Sequence, residues 1–261
     1  MLAYIIWNVA PDILHIGFIT IRWYGILFAC ALGFGYVILM KIYKSEGKNE
    51  EDLDHLALYL IVGIVVGARL GHVIFYQPDY YYAHPLQILE IWHGGAIGIL
   101  IALYYYCKKY KQNMLWILDR LVIVTALGGS LIRIGNLFNS EILGIPSKLP
   151  WAFIFERVDN IPRHPVQLYE SLSYFIIFLW LLHLYKRKKV MLVNGYLFGL
   201  FLTSIFSVRF LLEYVKVRQA DFGNGFFLSM GQMLSIPFIL FGIYFIIRSI
   251  KKAKHITAAR Q

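Results

Sequence analysis

The chain has 261 residues, of which 59% are hydrophobic and only 15% are charged, and its mean hydropathy is +0.61. Soluble domains carry about 25% charged residues, so this composition excludes an ordinary cytosolic enzyme, a disordered chain and a disulfide-stapled secreted domain. A hydrocarbon core about 30 Å thick requires about 20 apolar residues per helix. We therefore expect an all-α polytopic membrane protein, folded as a single integral membrane domain over residues 1–261.

Seven long apolar windows predict seven transmembrane helices. In chain order they lie near residues 18–42, 54–76, 85–107, 115–139, 166–186, 194–215 and 227–247. The third window is interrupted by His93, Gly94 and Gly95. Between the fourth and fifth windows, residues 140–165 form the longest polar connection, and their prolines and mixed charges predict a small folded loop outside the membrane.

The net charge of +10 is explained by where the basic residues lie. Most of the 25 Lys and Arg residues fall in 41–48, 108–111, 186–189 and the tail 248–260, whereas the 77–84 loop has none. The positive-inside rule predicts that these four segments are cytoplasmic, which leaves the N-terminus outside and the C-terminus inside. Such juxtamembrane clusters suit anionic membrane lipid, and nucleic acid is not expected as a partner.

Several polar residues inside the windows share one depth. Counted from the cytoplasmic start of each window, Arg69, His93, Arg133 and Arg209 all lie about 22 Å from the inner face, and Tyr24 lies at a similar height. Charges at membrane depth are costly and usually functional, although each arginine has the alternative of snorkelling outward or forming a structural pair. Because the arginine fork suits phosphate, the layer predicts a site for an anionic lipid headgroup in the outer leaflet.

Helical spacing adds two local pairs. Arg133 and Asn136 are three residues apart and share a face, and Gly135 allows close approach of a neighbouring helix. Arg209 and Glu213 are four residues apart, so we expect them to pair across one turn, either within the site or as a structural salt bridge.

Histidine supplies the candidate base. His93 has an ordinary pKa near 6.5 and can accept a proton near neutrality, the alternative being a buried histidine that bonds a carbonyl at the helix break. His164 precedes a predicted helix start at Pro165, where a scaffolding role is favoured over a catalytic one. Glu170 lies near the positive end of the same helix dipole.

The motifs taken together resemble the bacterial prolipoprotein diacylglyceryl transferase family. The most specific is Arg-Ile-Gly-Asn-Leu-Phe-Asn-Ser-Glu at 133–141. The others occur in the family's order at 22–25, 67–71, 93–95, 163–170, 209–213 and 229–232.

The resemblance implies an enzyme that transfers the diacylglyceryl group of phosphatidylglycerol to the thiol of the lipobox cysteine in a prolipoprotein signal peptide, with release of glycerol phosphate. It implies a multi-pass protein of the bacterial inner membrane, with its active site toward the outer leaflet. Its partners are phosphatidylglycerol, the prolipoprotein and membrane lipid, and neither a cofactor nor a metal is expected.

The resemblance also assigns roles. His93 and Arg209 are implied to be catalytic, and Arg133 to bind phosphatidylglycerol. Further substrate-binding candidates are Tyr24, Arg69, Asn136, Asn139, Glu141 and Glu213. Scaffold candidates are Gly94, Gly95, Gly135, His164, Gln167, Tyr169 and Glu170.

Two positions depart from the family pattern. Trp92 runs directly into His93, where family members carry an acidic residue and two glycines a few residues earlier. Some members have a tyrosine at the position of Ile205, so His93 is expected to act without that hydroxyl.

Two other functions are compatible with parts of the sequence. Gly128-Gly129-Ser130 with His164 or His183 is the pattern of an intramembrane serine hydrolase or protease. A non-enzymatic lipid or anion transporter would require a polar pathway across the whole membrane, whereas the predicted polar layer is confined to the outer half.

Overall fold

The computed structural model describes residues 4–17, 19–75, 95–188, 193–217 and 228–258. The chain divides into two compact units, one formed by residues 1–35 with 118–261 and the other by residues 36–117.

The described part is mainly helical. In chain order its helices are α1 (Trp23–Ser45), α2 (Glu50–Phe75), α3 (Gly95–Tyr110), α4 (Met114–Phe138), α5 (Val166–Lys188), α6 (Tyr196–Leu212) and α7 (Met230–Ala258), and a 3-10 turn, Glu213–Val215, follows α6. Within these residues, five helices have the length and apolar composition to cross a membrane, namely α1, α4, α5, α6 with its 3-10 turn, and α7. The helical, polytopic character predicted from composition is confirmed, and the seven-span count and the orientation of the termini stay predictions.

The predicted window boundaries agree best for α4 and α5. The windows near 115–139 and 166–186 differ from these helices by two residues at most. The window near 18–42 begins too early, because residues Ile19–Arg22 form a strand and α1 begins only at Trp23. The third window falls partly on residues 76–94, outside the described residues, and α3 covers the remainder.

The smaller unit is built from the packing of α2 against α3. Three acidic residues in the first turn of α2 favour its N-terminus through the helix dipole. A Cβ on Gly98 would overlap the carbonyl oxygen of Gly63, so the two backbones touch where only glycine fits. Leu53 and Leu56 of α2 and Leu103 of α3 are fully buried.

In the larger unit, a carboxylate of one helix caps the start of another. The side chain of Asp119 in α4 is buried, and its two oxygens accept the backbone amides of Gly195 at 2.7 Å and Phe198 at 2.8 Å. Gly195 precedes α6 in a left-handed conformation and offers no side-chain cap. Asp119 therefore satisfies helix-start donors that would otherwise lack partners.

The strands lie at the opposite end of α4 from Asp119. Strand β1 (Ile5–Trp7) runs parallel to β4 (Phe153–Phe155), which pairs antiparallel with β5 (Pro162–Arg163), and β2 (Asp12–Ile16) forms a hairpin with β3 (Ile19–Arg22). The indole of Trp7 donates a hydrogen bond of 3.1 Å to the carbonyl of Leu137. The 140–165 connection, predicted to be a small folded loop, therefore carries a sheet that packs on the end of α4.

Candidate active site

The end of α4 carries a connected polar network. Arg133 donates from Nη1 to Asn136 Oδ1 at 3.2 Å, which confirms that the two side chains share a face. The Asn136 amide then donates to Glu141 Oε2 at 3.0 Å, and the Asn139 amide donates to Glu141 Oε1 at 3.1 Å. Ser140, with a φ of 55°, turns the chain back so that Glu141 faces the helix it has just left. One arginine is thus oriented by a chain of amide and carboxylate groups.

Helix α1 brings Tyr24 to this network across a glycine. A Cβ on Gly135 would lie 2.8 Å from Cδ2 of the Tyr24 ring, so a larger residue at that position would force the ring to shift. Tyr24 is half-buried and lies within electrostatic range of Glu141 and Arg133. The neighbouring Trp23 stacks on Phe138, with ring centroids 4.8 Å apart, and fixes the approach of α1.

Helix α5 contributes a fully buried carboxylate. Glu170 Oε2 lies 2.8 Å from Arg133 Nε, and Glu170 Oε1 accepts a hydrogen bond of 2.7 Å from Lys216 Nζ. The contact with Arg133 is an ion pair without the alignment of a hydrogen bond, since Oε2 accepts no aligned donor in the described structure. Gln167, one turn earlier, donates from its amide to the backbone carbonyl of Glu141.

The end of α6 brings a second arginine and a lysine. The buried phenol of Tyr174 interacts with Arg133 and lies within electrostatic range of Arg209 and Glu170, so Arg209 belongs to the same neighbourhood. The expected pair between Arg209 and Glu213 is wrong for the described residues, because Glu213 instead lies 3.7 Å from Lys216. Lys216 follows the 3-10 turn, where the chain leaves the helix and directs this side chain inward.

The segment before α5 forms a separate aromatic and ionic arrangement. His164 Nδ1 lies 3.3 Å from the hydroxyl of Tyr169, which also accepts a 2.9 Å hydrogen bond from the Trp151 indole. Arg163 hydrogen-bonds Asp159 through Nε at 3.1 Å, and this guanidinium holds the pKa of Asp159 below its ordinary value of 3.8. The geometry of His164 fits a scaffold, and that role stays a prediction.

The serine of the alternative hydrolase pattern has a different partner. The Ser130 hydroxyl lies 3.0 Å from the Ser171 hydroxyl, and both residues are buried. His183 is exposed, and His164 contacts Tyr169 rather than Ser130. The described residues therefore contain no serine–histidine pair at Ser130.

Four predicted residues belong to the smaller unit or fall outside the described residues. Arg69 lies in α2, and its side chain is not described. His93 and Gly94 lie outside the described residues, and Gly95 begins α3. The proposed common depth of these groups with Arg133 and Arg209 stays a prediction.

Sequence reasoning missed Lys216 and Tyr174. Lys216 is 9% exposed and contacts two carboxylates, although its position just past a helix made it resemble an ordinary solvated lysine. The available signal was its spacing of three residues from Glu213. Tyr174 gave no such signal, because an aromatic residue in an apolar helix is usually a packing residue.

The fold and this cluster define a polytopic membrane protein with paired charges buried among its helices, a combination typical of a functional site for a polar ligand in the bilayer. The sequence model of the prolipoprotein diacylglyceryl transferase family matches residues 11–248. The chain belongs to that family, as its motifs predicted.

Relatives agree over nearly the whole length. The phosphatidylglycerol–prolipoprotein diacylglyceryl transferase of Chloroherpeton thalassium is 50% identical, and the match covers 97% of each chain. The enzymes of the same name from Tolumonas auensis and Bacteroides fragilis are 47% and 42% identical, over 94% of this chain and 98% and 95% of theirs.

Proposed function

We propose that this protein transfers the diacylglyceryl group of phosphatidylglycerol to the lipobox cysteine thiol of a prolipoprotein. Family membership supports the reaction, and the observation that carries the site is the orientation of Arg133 by Asn136, which is held in turn by Glu141. A guanidinium fixed in this way is suited to a phosphodiester, because its planar fork of donors matches phosphate oxygens and stays charged at every physiological pH.

The reaction balances without an oxidant or a reductant. His93 removes the thiol proton, and the thiolate sulfur attacks the glyceryl carbon that carries the phosphate ester. A carbon–sulfur bond forms, the carbon–oxygen bond to phosphate breaks, and glycerol phosphate leaves with the bonding electrons. Negative charge grows on that departing group, so cationic donors arranged in advance at Arg133 and Arg209 lower the barrier.

The remaining assignments follow the same proposal. Tyr24, Asn136, Asn139, Glu141 and Glu213 orient the arginines and the headgroup, and Arg69 contributes a further positive charge. Within α4, Arg133 is 14 residues from Asp119, a rise of about 21 Å. This distance supports a site far from the end of α4 that follows the basic 108–111 segment. We infer seven spans in one bacterial inner-membrane domain, with the site toward the outer leaflet.

The test is a transfer assay with purified full-length protein, phosphatidylglycerol and a peptide that carries a lipobox. Glycerol phosphate release and the thioether product are measured together. Arg133→Ala is expected to lower kcat/KM for phosphatidylglycerol by about 100-fold, since a charged partner in a buried pair is lost. Arg248→Ala, in the exposed basic end of α7, is the matched control and should transfer normally.

Two results would refute the proposal. Absence of product with the unmodified protein would remove the activity. Normal phosphatidylglycerol kinetics in Arg133→Ala would remove this residue from the site. His93→Ala tests the base separately, and full transfer by that variant would exclude His93 from thiol activation.

A further inference from the structure

Lys216 is held in the middle of the cluster by the backbone. Residues 143–145, just after the Glu141 turn, pair antiparallel with residues 215–217 through two backbone hydrogen bonds of 2.9 and 3.0 Å. Gly144, opposite Lys216, packs against His164 so closely that an added Cβ would overlap the His164 carbonyl. The ends of α4 and α6 are thereby fastened together beside the start of α5, and Lys216 occupies the junction.

The ammonium group of Lys216 serves two carboxylates. Its Nζ donates to Glu170 Oε1 at 2.7 Å and lies 3.7 Å from Glu213 Oε2, while the side chain is only 8% exposed. A buried ammonium is tolerated when charged partners of this kind compensate its lost hydration. The lysine is therefore part of the charge arrangement and not a surface residue that happens to lie nearby.

Glu170 divides its two oxygens between two cations unequally. Oε1 forms the short, aligned hydrogen bond with Lys216, and Oε2 touches Arg133 Nε at 2.8 Å without alignment. Lys216 thus fixes the carboxylate by one oxygen in an orientation that leaves the contact with Arg133 imperfect. Without the lysine, the carboxylate would be free to turn both oxygens toward the guanidinium, the stronger bidentate arrangement.

This division matters because carboxylates already surround the described cations of the cluster. Among the described residues, Glu141, Glu170 and Glu213 accompany Arg133, Arg209 and Lys216. A phosphodiester brings an additional negative charge, so it has to compete with the carboxylates for guanidinium donors. The neighbour best able to compete for Arg133 is Glu170.

We propose that Lys216 is a positioning residue that keeps Glu170 from binding Arg133 through both carboxylate oxygens, so that the remaining guanidinium donors stay available to the phosphate of phosphatidylglycerol. The proposal rests on the proposed function and adds a residue to it. Lys216 acts through Glu170 and needs no contact with the lipid. Its loss should therefore weaken phosphatidylglycerol binding much more than it slows the chemical step.

The experiment compares Lys216→Met, Lys216→Arg and the double variant Lys216→Met with Glu170→Gln, in the full-length protein. Methionine keeps the length of the side chain without charge, and arginine restores the charge. Lys148→Met, at an exposed lysine of the 140–165 loop, is the control. KM for phosphatidylglycerol and kcat are measured at a fixed lipobox peptide concentration, and the melting temperature of each variant is recorded.

Lys216→Met is expected to raise KM for phosphatidylglycerol by about tenfold or more while kcat changes less than about threefold. Lys216→Arg and the Lys148→Met control should stay within about threefold of the unmodified protein in both constants. In the double variant, KM should fall most of the way back to the value of the unmodified protein, because a neutral glutamine no longer competes as an anion for Arg133. If Lys216→Met does not fold, Lys216→Gln replaces it with the same expectation.

An unchanged KM in Lys216→Met would overturn the proposal, as would a double variant with KM as high as the single one. An equal loss of kcat in Lys216→Met and in the double variant would also overturn it and would indicate a structural role for Lys216. If the unmodified protein transfers nothing, the proposed function fails. Lys216 is then tested by melting temperature, measured with phosphatidylglycerol and with phosphatidylcholine. If the inference is correct, Lys216→Met reduces the extra stabilisation by phosphatidylglycerol. If the inference is wrong, that extra stabilisation is unchanged.

Discussion

The contact between Gly135 and Tyr24 makes a sharp test of how the site is assembled. Replacing Gly135 with alanine adds one methyl group in the middle of a helix, where alanine alone is favoured over glycine by about 1 kcal/mol. The new Cβ would lie 2.8 Å from Tyr24 Cδ2 and 3.4 Å from Tyr24 Cα. Carbon atoms in contact are normally about 3.5–4.0 Å apart, so the tyrosine has to move.

The expected result separates stability from activity. Overpacking of this kind costs about 1–3 kcal/mol, and the helix preference of alanine offsets part of it, so Gly135→Ala should fold with a modestly lowered melting temperature. A misplacement near 1 Å close to the reacting groups can cost about 100-fold in rate. We expect kcat/KM for phosphatidylglycerol to fall by about tenfold or more, measured as glycerol phosphate release over a range of lipid concentrations.

Gly128 provides the matched control within the same helix. A Cβ there would meet the Cβ of Ala31 at 3.7 Å, which is an ordinary contact. Gly128→Ala should therefore keep full activity and should be as stable as the unmodified protein or more stable by up to about 1 kcal/mol. The reasoning is refuted if Gly135→Ala and Gly128→Ala have the same kcat/KM for phosphatidylglycerol, whether both are fully active or both are impaired.

Substitutions at three further positions test features outside the lipid site. Asp119→Ala should lower the melting temperature substantially, because the buried Gly195 amide and the half-buried Phe198 amide lose their acceptor at a cost of about 1–3 kcal/mol each. Asp119→Asn keeps one acceptor and should lose less, and thermal unfolding in detergent decides between the two variants. Ser229→Ala should cost about 1 kcal/mol, since the Ser229 hydroxyl and the Gln232 side chain cap each other's backbone amides at the start of α7, and a melting temperature equal to the unmodified protein would contradict that capping role. The pKa of Asp159 is lowered by Arg163, so the contribution of this ion pair to stability is present above pH 4 and is lost as pH falls through the lowered pKa. Asp159→Asn should reduce the loss of stability below pH 4 by at most about 1 kcal/mol. Identical acid unfolding profiles of the variant and the unmodified protein would exclude this contribution.

Helix boundaries could be predicted where the local chemistry changes sharply. Pro165 directly precedes α5, and an Asn113 side chain accepts the amide of Trp116 at the start of α4, so apolar windows end near real caps. Strand β3 was absorbed into the first window because its two isoleucines, Ile19 and Ile21, adjoin the long apolar run that begins at Trp23. Hydropathy cannot distinguish a short apolar strand from the first turn of a transmembrane helix.

In the candidate site, contacts within one helix could be predicted from the sequence, whereas contacts between distant helices could not. The pair of Arg133 and Asn136 was predictable because helical spacing alone brings the side chains together. The pair of Lys216 with Glu213 had a local signal in its three-residue spacing, whereas the pair of Lys216 with Glu170 had none, because Glu170 is contributed by a distant helix. Competition among several possible partners for one carboxylate depends on packing, which no short stretch of sequence records.

The cap that Asp119 provides also constrains the order of assembly during synthesis. The first turn of α6 takes its acceptors from α4, which is made more than seventy residues earlier, rather than from a residue beside it. We expect this contact to lie at the cytoplasmic end of the helices, where water can satisfy those amides in the interval. The start of α6 therefore exchanges water for the Asp119 carboxylate only when it meets α4, so that correct pairing of the two helices completes the cap.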